Sequence, residues 1–437
     1  MEVILTTAYG LLFYYLIRKN NFFKLDSSVA WLPAAFFLLK CISGIILGLI
    51  YTIYYTNHND TDTFKFFTDS KIMFDSLYSH PRDFFKMFTG IDGKSQELYP
   101  YYEKMNSWLN TNLIFNDNKT IIRLNAFFRF FSLGYYNVHV ILINFISFTG
   151  LFCLYKAFIL YSPDKKRELL ISIFLIPSVL FWGSGLLKDS ILLTGFGFLI
   201  YSFTLIIKKG ITFKRVIMFM IGLIILSVTK TYVIAIVLPG LIAWWISKQS
   251  KTRTVLLTFM LVYSLYFLVA FNLYRFNSDY NIAALIFYKQ KNFIDLGTIH
   301  NASMISFPRI ECSAVSILKN SPIAFSNTLC RPFLTDVHGN PMIFLSAMEN
   351  IMILFLIIAC LISARKIKID PIVIFNIIFI ILLFVLIGMI SPVLGAIVRY
   401  RIVALPCLMF VLIYFYDREI LIRRLSFFLP KNKKNSA

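Results

Sequence analysis

Apolar residues fall in eleven runs, at about 3–17, 29–55, 135–160, 169–187, 191–207, 216–228, 232–246, 254–273, 343–363, 371–390 and 402–416. Short basic stretches separate most of them, and two long polar stretches, 56–134 and 274–342, separate the rest. A helix that crosses the hydrocarbon of a bilayer needs about 20 apolar residues, fewer where it is distorted. The pattern therefore predicts an all-α integral membrane protein with about 11 transmembrane helices, forming a single polytopic domain over 1–437. The runs at 216–228 and 232–246 are short and predict two helices meeting at a turn around Lys230. The run at 3–17 follows Glu2 rather than a basic stretch, and no small-residue cleavage site precedes Arg18. It reads as a retained first span, not as a secretory signal.

The charges are sorted between the two sets of loops. The short loops and the 417–437 tail hold 22 Lys and Arg against six acids, whereas 56–134 and 274–342 together hold 15 cations against 13 acids. Lys and Arg accumulate on the cytoplasmic side of membrane proteins. Both long loops are thus expected to be non-cytoplasmic, with the N-terminus outside and the basic tail inside. Only 15% of the residues are charged and 58% are hydrophobic, whereas a soluble domain carries about 25% charged. The net charge of +21 is then a topology signal, with membrane lipid rather than nucleic acid as the partner. Six cysteines form no CxxC pair and no zinc-like spacing with the five histidines, so no metal site is predicted. No cofactor is implied, and dependence on a divalent metal is left open.

The first long loop contains KTIIRLNAFFRFF, Lys119 to Phe131. As a helix it places Ile121, Ile122, Asn125 and Phe128 or Phe131 near one face, with Lys119, Arg123 and Arg129 elsewhere. That suits a helix lying in the membrane interface. The second long loop holds Cys312 and Cys330, a candidate disulfide in an oxidising compartment. No internal repeat is visible, and the Lys/Asn-rich end, Lys431 to Ala437, reads as disordered.

Ionisable residues within or at the edge of apolar runs are functional candidates. Six such features stand out: Asp60 and Asp62 in HNDTDTFKFF, Lys188 and Asp189 in FWGSGLLKDS, Lys230 in SVTKTY, Arg331 in CRPF, Glu349 and Asn350 in SAMEN, and Arg399 and Arg401 in GAIVRYRIVALP. All six map to the outer end of the predicted bundle, four of them placing cations on the side that disfavours cations. Singly, each fits a snorkelling lysine or a carbonyl-capping arginine; together they outline a cationic pocket at the outer membrane boundary. Such a pocket suits an anionic lipid headgroup, since Arg binds phosphate bidentately and Lys acts as a point charge. Asp60 or Asp62 at the same level has the chemistry of a general base.

DTDTFKFF, the PSVLFWGSGLLKDSIL hairpin, the loop ending RPF before a run with an EN pair, and the final RYRIVALP resemble bacterial multi-spanning glycosyltransferases and glycan polymerases of the GT-C type. The resemblance implies a polyprenyl-linked sugar as substrate. It also implies an acidic residue acting on the acceptor, here Asp60 or Asp62, and basic residues holding the lipid phosphate, here Lys188, Lys230, Arg331, Arg399 and Arg401. Asp189, Glu349 and Asn350 would support them. The activity so implied is transfer or polymerisation of polyprenyl-(pyro)phosphate-linked sugars at the outer face of a bacterial cytoplasmic membrane, in surface polysaccharide biosynthesis. The alternative is a transporter or flippase of such glycans, which would place ionisable residues along a midplane path. Lys40 is the one deep lysine in the runs, and a lysine can snorkel to the boundary.

Overall fold

The computed structural model describes residues 1–54, 61–109, 117–248, 251–299, 301–365 and 367–428. Among these the regular structure is helical, and the only β pairing is two isolated bridges, Met304 with Val393 and Ala364 with Tyr416. Among the described residues, six helices are long and apolar enough to cross a membrane: Leu32–Ile53, Tyr136–Ile159, Lys188–Lys209, Thr254–Arg275, Pro341–Ser363 and Pro371–Ile390. Leu394–Val403 and Leu405–Phe415, bent by 61°, make a seventh if they are one broken span. These helices support an integral membrane protein.

The remaining apolar runs form shorter or more charged helices, Glu2–Lys19, Phe213–Thr229 and Thr231–Ser247. The run at 169–187 is not one helix. It divides into Lys166–Phe174 and Pro177–Trp182, then leaves helical geometry before Lys188. Pro177 has no amide hydrogen to continue the first segment, and Gly183 and Gly185 follow the second.

The chain resolves into two compact units where the apolar pattern suggests one domain: residues 1–157 with 179–234, and residues 158–178 with 235–437. Hydropathy marks which segments are buried in lipid or protein but not which helices pack together, so this division has no sequence signature.

In the first unit, Tyr136–Ile159, Lys188–Lys209 and Phe213–Thr229 approach at glycines. A Cβ on Gly197 would overlap the Gly150 carbonyl, one on Gly150 would overlap the Thr194 backbone, and one on Gly222 would lie 2.6 Å from the Leu199 amide nitrogen. Small residues allow such backbone contact between apolar helices. Gly197→Val is therefore expected to abolish monodisperse, detergent-extracted protein on size exclusion. Gly10→Val, where a Cβ meets nothing within 4 Å, should leave the profile unchanged.

A layer built from Asp62–Ser79, Pro81–Thr89 and Asn118–Ser132 packs around Phe66, Met73, Phe84, Met87, Trp108 and Ile122. Its loop is fastened by Asp69, fully buried, whose carboxylate accepts the backbone N–H groups of Asn106 and Ser107 at 2.8 Å each. Burial pushes that carboxyl above its ordinary range despite these bonds. The Asn118–Ser132 helix buries Ile121, Ile122, Asn125 and Phe128, while Phe131 stays 49% exposed. Arg129 departs from expectation: it is buried, donating to Ser70 Oγ at 3.0 Å and the Phe67 carbonyl at 2.7 Å. Its position, one turn beyond Asn125 and two beyond Ile122, puts it on their face.

In the second unit, Pro371–Ile390 is the central helix. The polar stretch 274–342 contributes helices Ile282–Ile299 and Ala314–Cys330, both packed against it. A Cβ on Gly388 would overlap the Ala324 carbonyl, and the Thr328 hydroxyl donates to the Phe384 carbonyl at 2.8 Å. Residues rising from 324 to 328 thus meet residues falling from 388 to 384, so this helix runs antiparallel alongside an apolar one.

The candidate disulfide does not form: Cys312 and Cys330 are both free thiols. They flank the two ends of Ala314–Cys330, which at 1.5 Å per residue is about 24 Å long. A disulfide needs Cα atoms within about 7 Å.

Candidate functional site

In the first unit three helix ends meet. Lys188 opens the Lys188–Lys209 helix, Lys230 closes Phe213–Thr229, and Asp117 precedes Asn118–Ser132. The Thr120 hydroxyl donates to the Val228 carbonyl at 2.7 Å, tying two of these ends together. Lys188 Nζ lies 2.7 Å from Asp117 Oδ1 and donates to Asn118 Oδ1 at 2.8 Å. Lys230 Nζ lies 3.4 Å from the other carboxylate oxygen of Asp117. One carboxylate thus bridges two ammonium groups, all three side chains being 12–15% exposed. Burial alone would raise the Asp117 carboxyl, but Lys230 and Lys188 outweigh it and hold it below the ordinary aspartate value. The helix of which Lys188 is the first residue adds the partial positive charge of its N-terminus.

Of the two acids assigned to the acceptor, Asp60 lies outside the described residues, as does the 429–437 tail. Asp62 is exposed at the start of Asp62–Ser79 and close enough to Lys188 to act on its charge. Asp189 is buried on the first turn of the Lys188 helix, where a carboxylate favours the helix dipole. The bridging acid is Asp117, 71 residues from Lys188 in sequence. The run FNDNKT before an apolar-periodic segment marks a helix start, but nothing local announces its lysine partners.

Lys40 does not snorkel. It is 1% exposed and donates to the Gly183 carbonyl at 2.6 Å and to Ser184 Oγ at 3.1 Å. The Ser147 hydroxyl also donates to the Gly183 carbonyl, at 2.8 Å, and the Asn144 amide donates to the Ser184 carbonyl at 2.9 Å. These groups satisfy carbonyls freed where the helix ends at Trp182, as dry helix breaks require.

Arg331, Arg399 and Arg401 belong to the second unit. Arg401 and Glu349 form an ion pair, Nη2 to Oε1 at 3.2 Å, with both side chains 1% exposed. Glu349 also accepts the Ser178 backbone N–H at 2.5 Å and its hydroxyl at 2.8 Å. Arg401 Nη1 donates to the carbonyls of Thr328, at 3.2 Å, and Arg331, at 3.1 Å. Asn350 joins them, donating to the Pro332 carbonyl at 3.2 Å. Glu349 is eight residues into Pro341–Ser363, roughly 12 Å along the axis from its start. Arg331 is half-buried and donates to Asp336 Oδ1 at 2.5 Å. Arg399 is half-buried on the last turn of Leu394–Tyr400.

Two arrangements result. The lysine pair is partly open and holds one carboxylate between two cations. The arginine cluster is closed, and its main charge is matched by Glu349. Among the described residues no group of three His, Cys, Asp or Glu side chains is placed to hold a metal ion. No protein-family model matches the chain, and comparison with curated proteins and with solved structures gives no match.

Proposed function

We propose that the chain is a membrane glycosyltransferase or glycan polymerase acting on polyprenyl-(pyro)phosphate-linked sugars at the outer face of the bacterial cytoplasmic membrane. In this reading the eleven apolar runs cross or enter the bilayer, with the N-terminus outside and the 417–437 tail inside. The observation that carries it is the lysine pair of Lys188 and Lys230 around one carboxylate at a helix N-terminus. Cations at a helix N-terminus are suited to a phosphate group. In the transfer, the acceptor hydroxyl loses its proton to a carboxylate, Asp62 being the described candidate. Its oxygen bonds the sugar's anomeric carbon, and the bond from that carbon to the phosphate oxygen breaks. Lys188 and Lys230 stabilise the charge that develops on the leaving phosphate.

The orientation is tested by cysteines placed at Ser95 and Asn301, which should both react with an impermeant reagent on intact cells. Protection of either would contradict the topology. The exposed Phe127, Phe130 and Phe131 on the Asn118–Ser132 helix agree with a layer resting in the headgroup region.

A second reading, a transporter or flippase of lipid-linked glycans, is favoured by one observation. The Arg401–Glu349 pair is buried, with Arg401 in the bent pair Leu394–Val403 and Leu405–Phe415, and interrupted helices often line transport sites. Accumulation of complete lipid-linked units on the cytoplasmic leaflet of a deletion strain would select this reading over the enzyme.

A further inference from the structure

Lys119, Arg123, Phe127, Phe130 and Phe131 fall on one side of the Asn118–Ser132 helix, a sector of about 120° at 3.6 residues per turn. The buried Ile121, Ile122, Asn125 and Phe128 take the other side. Lys119 and Arg123 are half-buried, and the three phenylalanines are exposed. Two cations thus begin a strip that continues along the same helix as rings.

Both cations are set in place. Arg123 Nε donates to the Met87 carbonyl at 2.9 Å, and a Cβ on Gly90 would lie 2.8 Å from Arg123 Nη2. Lys119 Nζ and Arg123 Cζ stand 5.0 and 5.4 Å from the centre of the buried Trp108 ring, against which Tyr102 stacks at 5.1 Å. Among the described residues no carboxylate pairs with either cation. Burial, then the charges of Arg123 and Lys94, hold the Lys119 ammonium below its ordinary range. Lys119 also lies in the first turn of its helix, where the dipole disfavours a cation, and like charges four residues apart repel. An anion seated at these side chains relieves the repulsion.

We propose that this strip binds an anionic phospholipid of the surrounding membrane, its phosphate held by Lys119 and Arg123 and its acyl chain laid along Phe127, Phe130 and Phe131. This rests on the layer's place in the headgroup region and not on the activity. Charge complementarity selects an anionic lipid over a zwitterionic one, and the exposed rings select a lipid over a soluble anion. The guanidinium fork matches phosphate oxygens. Met87 and Gly90 already hold it, so little side-chain freedom is lost on binding.

The test places the full-length protein in phosphatidylcholine nanodiscs doped with phosphatidylglycerol or phosphatidylcholine carrying a photoactivatable acyl chain. Adducts on residues 118–133 are then quantified by mass spectrometry. Phosphatidylglycerol should label this helix about thirtyfold more than phosphatidylcholine, roughly fivefold for each cation near the surface. Lys119→Gln or Arg123→Gln should each lower the preference about fivefold, and the two together should abolish it. Exchanging the pair, Lys119→Arg with Arg123→Lys, should keep it, as should Lys71→Gln on a neighbouring helix. A preference unchanged in both single glutamine variants would overturn the assignment to these side chains. Equal labelling by the two lipids in the wild type would overturn the phosphate site while leaving the layer against the membrane. No labelling of 118–133 by either lipid would remove the layer from the bilayer, and the proposal with it. Competition by glycerol phosphate as effective as that by unlabelled phosphatidylglycerol would mean a soluble anion and overturn the lipid. Stronger competition by farnesyl phosphate would mean a prenyl occupant and overturn the phospholipid.

Discussion

Glu349→Ala is expected to destabilise the protein by about 3–5 kcal/mol, because it leaves a buried guanidinium without its counter-charge. Arg401 is 1% exposed, so water cannot replace the lost carboxylate. Arg401→Ala should be similarly damaging, since Glu349 would keep only its two bonds from Ser178. The double variant Arg401→Met with Glu349→Leu removes both charges and should recover a large part of the loss. Thermal midpoints and monodisperse yield in detergent read the effect; wild-type midpoints in both single variants would show that the pair contributes nothing to the fold. This alters what Arg401 is expected to do. The sequence suggests a phosphate ligand whose removal abolishes product while the protein stays inserted and abundant. The geometry predicts that abundance falls too. Arg399, half-buried on the preceding turn, provides the contrast: Arg399→Ala should lower product at constant abundance.

Lys188→Ala and Lys230→Ala should each lower glycan transfer by about 10²–10³-fold, the scale found on removing one preorganised group that stabilises developing charge. Protein levels should remain close to wild type, because Asp117 keeps one lysine partner in either single variant. Lys→Arg at either position keeps the charge and should retain part of the activity. Product formation per amount of membrane-inserted protein is the measurement. Undiminished product in both alanine variants would remove the lysine pair from the site.

The parts of this architecture legible in the sequence are those that depend on local composition. Long apolar runs such as 371–390 became single helices at nearly the expected bounds, because length and hydropathy alone determine them. PSVLFWGSG signals a break through its proline and glycines, although the hydropathy of 169–187 also fits an unbroken span. The turn at Lys230 was also visible, since two short runs meet there. Contacts between distant segments were hidden. Asp117 carries no mark that it will reach Lys188, and in the sequence it is one acid of a near-neutral loop. Glu349 and Arg401 were each singled out as isolated charges, but only packing within the second unit pairs them. Ala314–Cys330 falls in a polar stretch of the sequence because Ser, Asn and Thr dilute its apolar residues. In the fold Asn320 and Ser321 bond back to the Ser316 and Ile317 carbonyls, and Thr328 bonds to those of Ala324 and Phe384. Arg129 is expected away from the face of Asn125, although helical period places the two together.

The central claim is that the chain processes polyprenyl-linked sugars, and the pool of those lipids in a deletion strain tests it most directly. Extracted lipid-linked oligosaccharides should accumulate as single repeat units if the protein is a polymerase, or as truncated units if it is a transferase. Wild-type protein should restore the normal pool, and Lys188→Ala should not, despite normal membrane levels. A lipid-linked pool and surface glycan identical to those of the parent strain would contradict the account.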